Sequence, residues 1–277
     1  MSRLLWILLL APPGVLWADE QPSPPVEQIM ARVAANQDRG QQARAEYVYL
    51  QRIHVASLRT NGKLAREETT DYLVTPTPNG TTKELKHIDG RYWHKGKYLE
   101  FHGEPVPDTG VVDSSIVESF RDDLYNDKSK DGLGRDLFPL TSEEQKKYRF
   151  ELAGEETVQG REVYRVRFRP LDKSELTWAG EALIDAEEFE PLRVYTKLSR
   201  KIPFWVRTLL GTDVPGLGFN VEYRRFDEGV WFPVSFGTEF RLRALFFINR
   251  DITVSLENSA FQRAKVESQI VDFQPVK

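Results

Sequence analysis

The sequence predicts a mainly β protein (α+β) built on a strongly curved antiparallel sheet, and three observations carry that reading. First, Val230, Phe232, Val234, Phe236, Thr238, Phe240, Leu242, Ala244, Phe246 and Ile248 fall at every second position, while Glu239, Arg241 and Arg243 occupy places between them. A period of two with charge on the alternate side marks a long strand with one dry face and one wet face. Second, the same period begins at Tyr47, with Tyr47, Tyr49, Ile53 and Val55 opposite Arg52 and His54. Third, only short stretches keep the 3.6-residue rhythm of a helix.

The elements follow in order. Ser23 is placed to cap a helix that begins with Pro24 and Pro25, carries Glu27 in its first turn, and ends near Gly40. Val26, Ile29, Met30, Val33 and Gln37 give it one apolar face over about three turns. Strands are expected from Tyr47, over Glu67 to Val74, Thr81 to Ile88 and Arg91 to Phe101, with turns at Pro78-Asn79-Gly80 and Asp89-Gly90. Between Pro105 and Tyr148 the strand signal lapses. There Ile116, Val117, Phe120 and Leu124 form a helical face behind the cap candidates Asp113, Ser114 and Ser115, and Thr141-x-x-Glu144 opens a short helix to Lys147. Strands resume at Tyr148 to Leu152, Glu162 to Arg169, Gly180 to Asp185, Leu192 to Leu198 and Gly218 to Phe226. The long strand from Val230 to Ile248, bent or bulged at Pro233 and Gly237, and Ile252 to Leu256 complete the set.

Met1-Ser2-Arg3, the apolar run Leu4 to Ala11, the Pro12-Pro13-Gly14 break and Ala18 before Asp19-Glu20 have the form of a secretory signal peptide over residues 1–18. The apolar run is shorter than the ~20 residues that a bilayer span needs. Residues 19–277 are then one exported, periplasmic domain without repeat or linker. The chain has no cysteine, which excludes a disulfide, a thiolate metal site and a thiol nucleophile. A net charge of -4 with both signs interspersed disfavours nucleic acid as a partner.

Catalytic motifs are missing. The sequence holds no G-x-S-x-G elbow, H-E-x-x-H or P-loop, so no catalytic residue, no metal site and no cofactor is assigned. Its four histidines, His54, His87, His94 and His102, lie on neighbouring strand candidates and read as surface or packing residues. The run Asp127 to Gly132 imitates half a calcium loop, but the twelfth place is Phe138 where a glutamate belongs. Asn79-Gly80-Thr81 reads as a hairpin turn, and Glu187-Glu188 as a solvated loop. The connection from Lys201 to Gly218 is different: Phe204, Trp205, Leu209 and Leu210 accompany Arg200, Lys201 and Arg207. A long, apolar and basic connection of this kind either folds into the core or meets a membrane surface or protein partner.

Several short motifs resemble the periplasmic outer-membrane lipoprotein-sorting (LolA-like) family. They are Leu73-Val74-Thr75-Pro76, Ile88-Asp89-Gly90-Arg91-Tyr92-Trp93, Ile184-Asp185 with Pro191-Leu192-Arg193-Val194, and Val221 to Pro233 with its Trp231-Phe232-Pro233 ending. The resemblance implies an incomplete antiparallel barrel wrapped around helices, whose apolar hollow receives acyl chains. The family's carriers hold the lid closed with an arginine just before the early proline. Thr75 stands there in this chain, so the resemblance extends to the greasy cavity and not to that lid contact.

The expected function is therefore non-covalent binding of lipid or lipidated-protein acyl chains, driven by ~0.8 kcal/mol per buried methylene. Val194, Val221, Tyr223, Phe232, Val234, Phe236 and Phe240 are the candidate lining residues, and each has an ordinary alternative as core packing. Arg200, Lys201, Phe204, Trp205, Arg207 and Leu209 are the candidate membrane or partner contacts. A non-catalytic interaction or sensor module of the envelope, using the same hollow or the Trp205 loop, is the second reading.

Overall fold

The computed structural model describes residues 23–77, 80–103, 112–124, 138–172, 178–198, 217–226, 229–244 and 248–264. Helix α1 (Val26–Arg44) buries Ile29, Met30, Val33, Ala34 and Gln37, the face its rhythm predicts. Two expectations about its ends change. Pro25, not Ser23, is the N-cap, and its carbonyl takes the N–H groups of Gln28 and Ile29. The helix also runs through Gly40 to Arg44, because the missing side chain at Gly40 makes room for the Arg44 guanidinium: a Cβ there would lie 2.9 Å from Arg44 Nη1. Arg44 reaches past it to donate to the Trp231 carbonyl.

Eleven strands follow: β1 (Tyr47–Arg59), β2 (Leu64–Thr77), β3 (Gly80–His94), β4 (Lys97–His102), β5 (Tyr148–Val158), β6 (Arg161–Pro170), β7 (Trp178–Asp185), β8 (Pro191–Leu198), β9 (Gly218–Arg225), β10 (Trp231–Ala244) and β11 (Ile248–Arg263). They form one curved antiparallel sheet in the order β4-β3-β2-β1-β11-β10-β9-β8-β7-β6-β5, which does not close into a barrel. Pairing of β1 with β11 splices two meanders at the middle of the sheet. The chain between β4 and β5 must therefore travel from one edge to the other. Its helices α2 (Val112–Leu124) and α3 (Ser142–Gln145) mark the route, α2 against β1 and β2, α3 against α1 and β5.

Two strand boundaries differ from the sequence reading. Asp89-Gly90 is not a turn; it lies inside β3, paired with β2 on one side and β4 on the other. Gly90 is needed for close approach: a Cβ would sit 2.1 Å from Phe101 Cζ and 2.7 Å from the Glu67 carbonyl oxygen. The hairpin turns instead at Lys95 and Gly96, both with positive φ (45° and 89°). Likewise the stretch from Val230 to Ile248 is not one strand. Ala244 pairs with Ile248, so its last residue opens β11, and the same period of two serves both arms of a hairpin. The irregularity expected at Pro233 is present as a bulge between Pro233 and Ser235, whereas Gly237 pairs regularly with Asn220 and Ser255.

The helix boundaries in the connection also shift. Thr141 caps α3 through Glu144 N as its motif requires. Asp113 and Ser114 do not cap α2; they lie in its first turn and point into the fold.

Candidate functional site: the concave wall

Register converts the strand pattern into a surface. Starting at β5, the pairs Leu152↔Val166, Val166↔Ala182, Ala182↔Val194, Val194↔Val221, Val221↔Phe236, Phe236↔Leu256, Leu256↔Ile53, Ile53↔Thr70 and Thr70↔Ile88 form one row across ten strands. Residues paired in this way share a face of the sheet. Thr70 is its only polar member. α1 supplies Ile29, Met30 and Val33 to the same apolar cluster, α2 supplies Ile116 and Val117, and the chain before α3 adds Phe138 and Leu140. The wall also comes out to solvent: Leu85, opposite Tyr72 on β2, is 45% exposed.

The seven lining candidates are all buried. Val194, Val221, Tyr223, Phe236 and Phe240 belong to the central cluster. Phe232 does not, because the Pro233 bulge shifts the alternation by one. Phe236 pairs with interior Val221, but Phe232 pairs with exposed Arg224. Phe232 instead packs edge-to-face against Tyr47 and Phe226 and tilted against Phe261, at centroid distances of 5.0, 5.6 and 4.3 Å. Trp231 takes the interior place. Val234 sits at the bulge and is buried outside the cluster. The sequence reading missed the β1 and β2 share of the wall, Tyr49, Ile53, Val55, Tyr72 and Val74, although their period of two was a usable signal. Of the contact candidates, Arg200, Lys201, Phe204, Trp205, Arg207 and Leu209 lie outside the described residues, as do residues 1–18 and the Asp127 to Gly132 turn.

The wall changes character under α2. Over the next two inward rows, Glu68 opposite Val55 and the pair Ser57↔Arg66 are buried, with Ser57, Arg66 and Glu68 at 0, 2 and 2% exposure. α2 meets most of their polar atoms, although Arg66 Nε has no hydrogen-bond partner. Asp113 accepts from Ser57 Oγ (2.8 Å) and, in a two-pronged contact, from Arg250 Nε and Nη2 (2.5 and 2.9 Å). Arg66 donates to Ser114 Oγ and Glu68, and Arg121 closes the group on Glu68 at 2.8 Å. Arg66 also lies 4.9 Å from the Phe101 ring centre. Hydrogen bonding to Asp113 raises the basicity of Arg250. Among the described side chains, α2 is thus held by these directional polar contacts together with buried Ile116 and Val117.

The opposite end is closed by the β7–β8 turn against α1. Asn36 Nδ2 donates to the Glu188 and Phe189 carbonyls, and Gln37 Nε2 to Glu190 at 2.6 Å. Burial pushes the Glu190 carboxyl up to about 7, against the Gln37 contact and the charge of Arg44. Burial also opposes ionisation of Asp185, but Arg161 and the Glu187 and Glu188 N–H groups outweigh it and hold that carboxyl below its ordinary value. Glu188, read from sequence as a solvated loop residue, is half-buried and ties Arg161, Arg225 and Trp231 together.

The histidines do not converge on this interior. His87 and His102 both hydrogen-bond Asp89 on the exposed face of β3 and β4, which raises the His102 pKa and lowers that of Asp89. Among the described residues no group of three or more His, Cys, Asp or Glu is placed to hold a metal ion. No described helix is long and apolar enough to cross a membrane.

No family model matches the sequence, and no curated protein matches it. Among solved structures, the chain is similar to a DUF1329 family protein from Desulfovibrio piger, at 12% identity over 89% of this chain and 96% of that one, with a TM-score of 0.42. It is similar to a putative outer membrane lipoprotein-sorting protein domain from Vibrio parahaemolyticus, at 12% identity over 86% and 93% of the two chains, TM-score 0.37. It is also similar to a LolA superfamily protein from Nitrosomonas europaea, at 10% identity over 87% and 94%, TM-score 0.35. Two of these three carry in their names the lipoprotein-sorting family that the sequence resembles.

Proposed function

We propose that the protein is exported and binds the acyl chains of a lipid or lipidated protein against the concave wall, with no covalent chemistry. The observation that carries this reading is the apolar row across ten strands, covered by two helices and a short segment and reaching solvent at Leu85. An acyl chain entering there would replace side-chain contacts with apolar contacts of the same kind. Polar anchoring of α2 suits a cover that moves, since its hydrogen bonds can exchange with water when it lifts while the wall beneath takes up cargo.

Organic extraction of the purified protein followed by mass spectrometry tests the reading: co-purified acyl lipid is expected. Binding of a fluorescent fatty-acid probe supplies the second arm. Val221→Phe, which fills wall volume without adding charge, should reduce probe uptake at least several-fold while keeping a cooperative thermal transition, at a stability cost of about 1–3 kcal/mol. Wild-type protein that neither carries lipid nor takes up the probe would remove the carrier reading and leave the interaction-module reading.

A further inference from the structure

The outer face of the sheet is laced with cross-strand ion pairs. Arg52 meets Asp71, Arg193 meets Glu222, Arg241 meets Asp251, Arg165 meets Glu156, and Arg165 and Arg167 share Glu181. Among the described register pairs of this face, one sets two like charges against each other. Arg149 on β5 and Arg169 on β6 are register partners, so two guanidinium groups stand directly opposite each other on the same face. Both are exposed, and neither has a hydrogen bond, ion pair or ring contact among the described residues. The row continues one residue beyond the last β6–β7 pair, Phe168↔Gly180, to Ala179, which pairs with Lys197 on β8. Lys197 is likewise exposed and unpartnered among the described residues. Among the described residues, Glu151 and Glu181 stand in the next row, where both flank Arg167.

Like charges directly opposite on neighbouring strands are destabilising. A row of three cations with no acid in it, on a chain whose net charge is -4, is therefore a local exception. Apolar and amphipathic side chains accompany it. Leu171, just beyond Arg169, is 56% exposed, and Tyr195, two residues before Lys197 on the same face, is 48% exposed. Opposed residues on paired strands lie about 5 Å apart at Cα, so both arginines can reach one phosphate. Cations on a strand face beside a leucine and a tyrosine match an array of anionic headgroups, where tyrosine sits at the boundary between polar and apolar layers.

We propose that the β5–β8 end of the outer face is a docking surface for an anionic phospholipid membrane, with Arg149, Arg169 and Lys197 taking the headgroup phosphates. The surface stands independently of what the concave wall binds, because it lies on the opposite face of the same strands.

The test is co-sedimentation of the full chain with vesicles of phosphatidylcholine alone or mixed with phosphatidylglycerol. Preferential binding to the anionic vesicles, weakened by salt, is expected. Arg149→Glu with Arg169→Glu should lower that binding by about 30-fold or more, from the contribution of two basic residues near an anionic surface. Lys63→Glu with Lys97→Glu makes the same change of net charge elsewhere and should lower it only a few-fold. Arg169→Gln alone relieves the opposed charges, so its thermal midpoint should equal or exceed the wild type. Equal binding to both vesicle types overturns the proposal, as does equal loss in the two double variants. A clear fall in the Arg169→Gln midpoint also overturns it, because the guanidinium would then be serving the fold.

Discussion

Gly90 shows how one atom decides a local structure. Asp-Gly reads as a turn, but here the glycine lets the Phe101 ring and the β2 backbone close on β3. Gly90→Ala should cost about 1–3 kcal/mol by overpacking, read from chemical denaturation. Adding Phe101→Ala should recover only part of that loss, because the second obstacle is the Glu67 carbonyl, which is backbone. Full recovery would place the strain in the ring alone. Glu190 offers a second residue-scale test. Its folded carboxyl is raised to about 7 by burial, above its ordinary value of 4.5, so the folded state binds the proton more tightly than the unfolded chain does. Its contribution is therefore complete below about 4.5 and is lost as pH rises through 7. Stability should fall by about 1–3 kcal/mol across that window, and Glu190→Gln should flatten this part of the profile. A wild-type profile that rises there, with the variant parallel to it, would contradict the assignment.

At the scale of elements, α2 is set apart by the charged groups that anchor it. α1 combines an apolar stripe with hydrogen bonds from Asn36, Gln37 and Arg44, whereas α2 adds to Ile116 and Val117 the contacts of Asp113, Ser114 and Arg121 with Ser57, Arg66, Glu68 and Arg250. Asp113→Asn leaves Arg250 without its counter-charge. The expected loss is about 2–4 kcal/mol, below the full value for a buried pair because Arg250 is partly exposed. Hydrogen exchange should show the loss of protection concentrated in α2, with α1 unaffected. Uniform loss across both helices would mean that α2 is no separate unit. The β10 bulge is the second element-scale device: one extra residue moves Trp231 into the interior and Phe232 out to the aromatic group around Phe261.

For the molecule as a whole, the splice of β1 to β11 and the open edges at β4 and β5 set the architecture. Both meanders contribute to one wall; α2, which packs on β1 and β2, lies in the connection from β4 to β5, whereas α1 precedes the sheet. The two faces of the sheet differ in chemistry. The interior face is apolar along one row and polar under α2, and the outer face carries many cross-strand ion pairs, with two arginines opposed at β5–β6. Loss of vesicle binding without loss of probe uptake in Arg149→Glu with Arg169→Glu is the expected sign of that separation.

The sequence alone determined the strand-rich class, the curvature, the buried stripe of α1 and the inward candidates Val194, Val221, Tyr223, Phe236 and Phe240, because side-chain period is a local property of helix and strand. It could not place the turn at Lys95-Gly96 in preference to Asp89-Gly90, nor divide the run from Val230 to Ile248 into two strands. A period of two is the same in one long strand and in a hairpin, and a turn is chosen by whichever pairing the rest of the sheet permits. It also assigned Asp113 and Ser114 to a helix cap, since a short polar side chain before an apolar run looks alike whether it bonds its own backbone or a strand far away in sequence. Pairing between β1 and β11, the Phe232 reversal, the polar seat of α2 and the opposed pair of Arg149 and Arg169 were decided only by tertiary structure. Each is a relation between residues that the chain keeps far apart or that one inserted residue can reverse, and strand register is what brings them together.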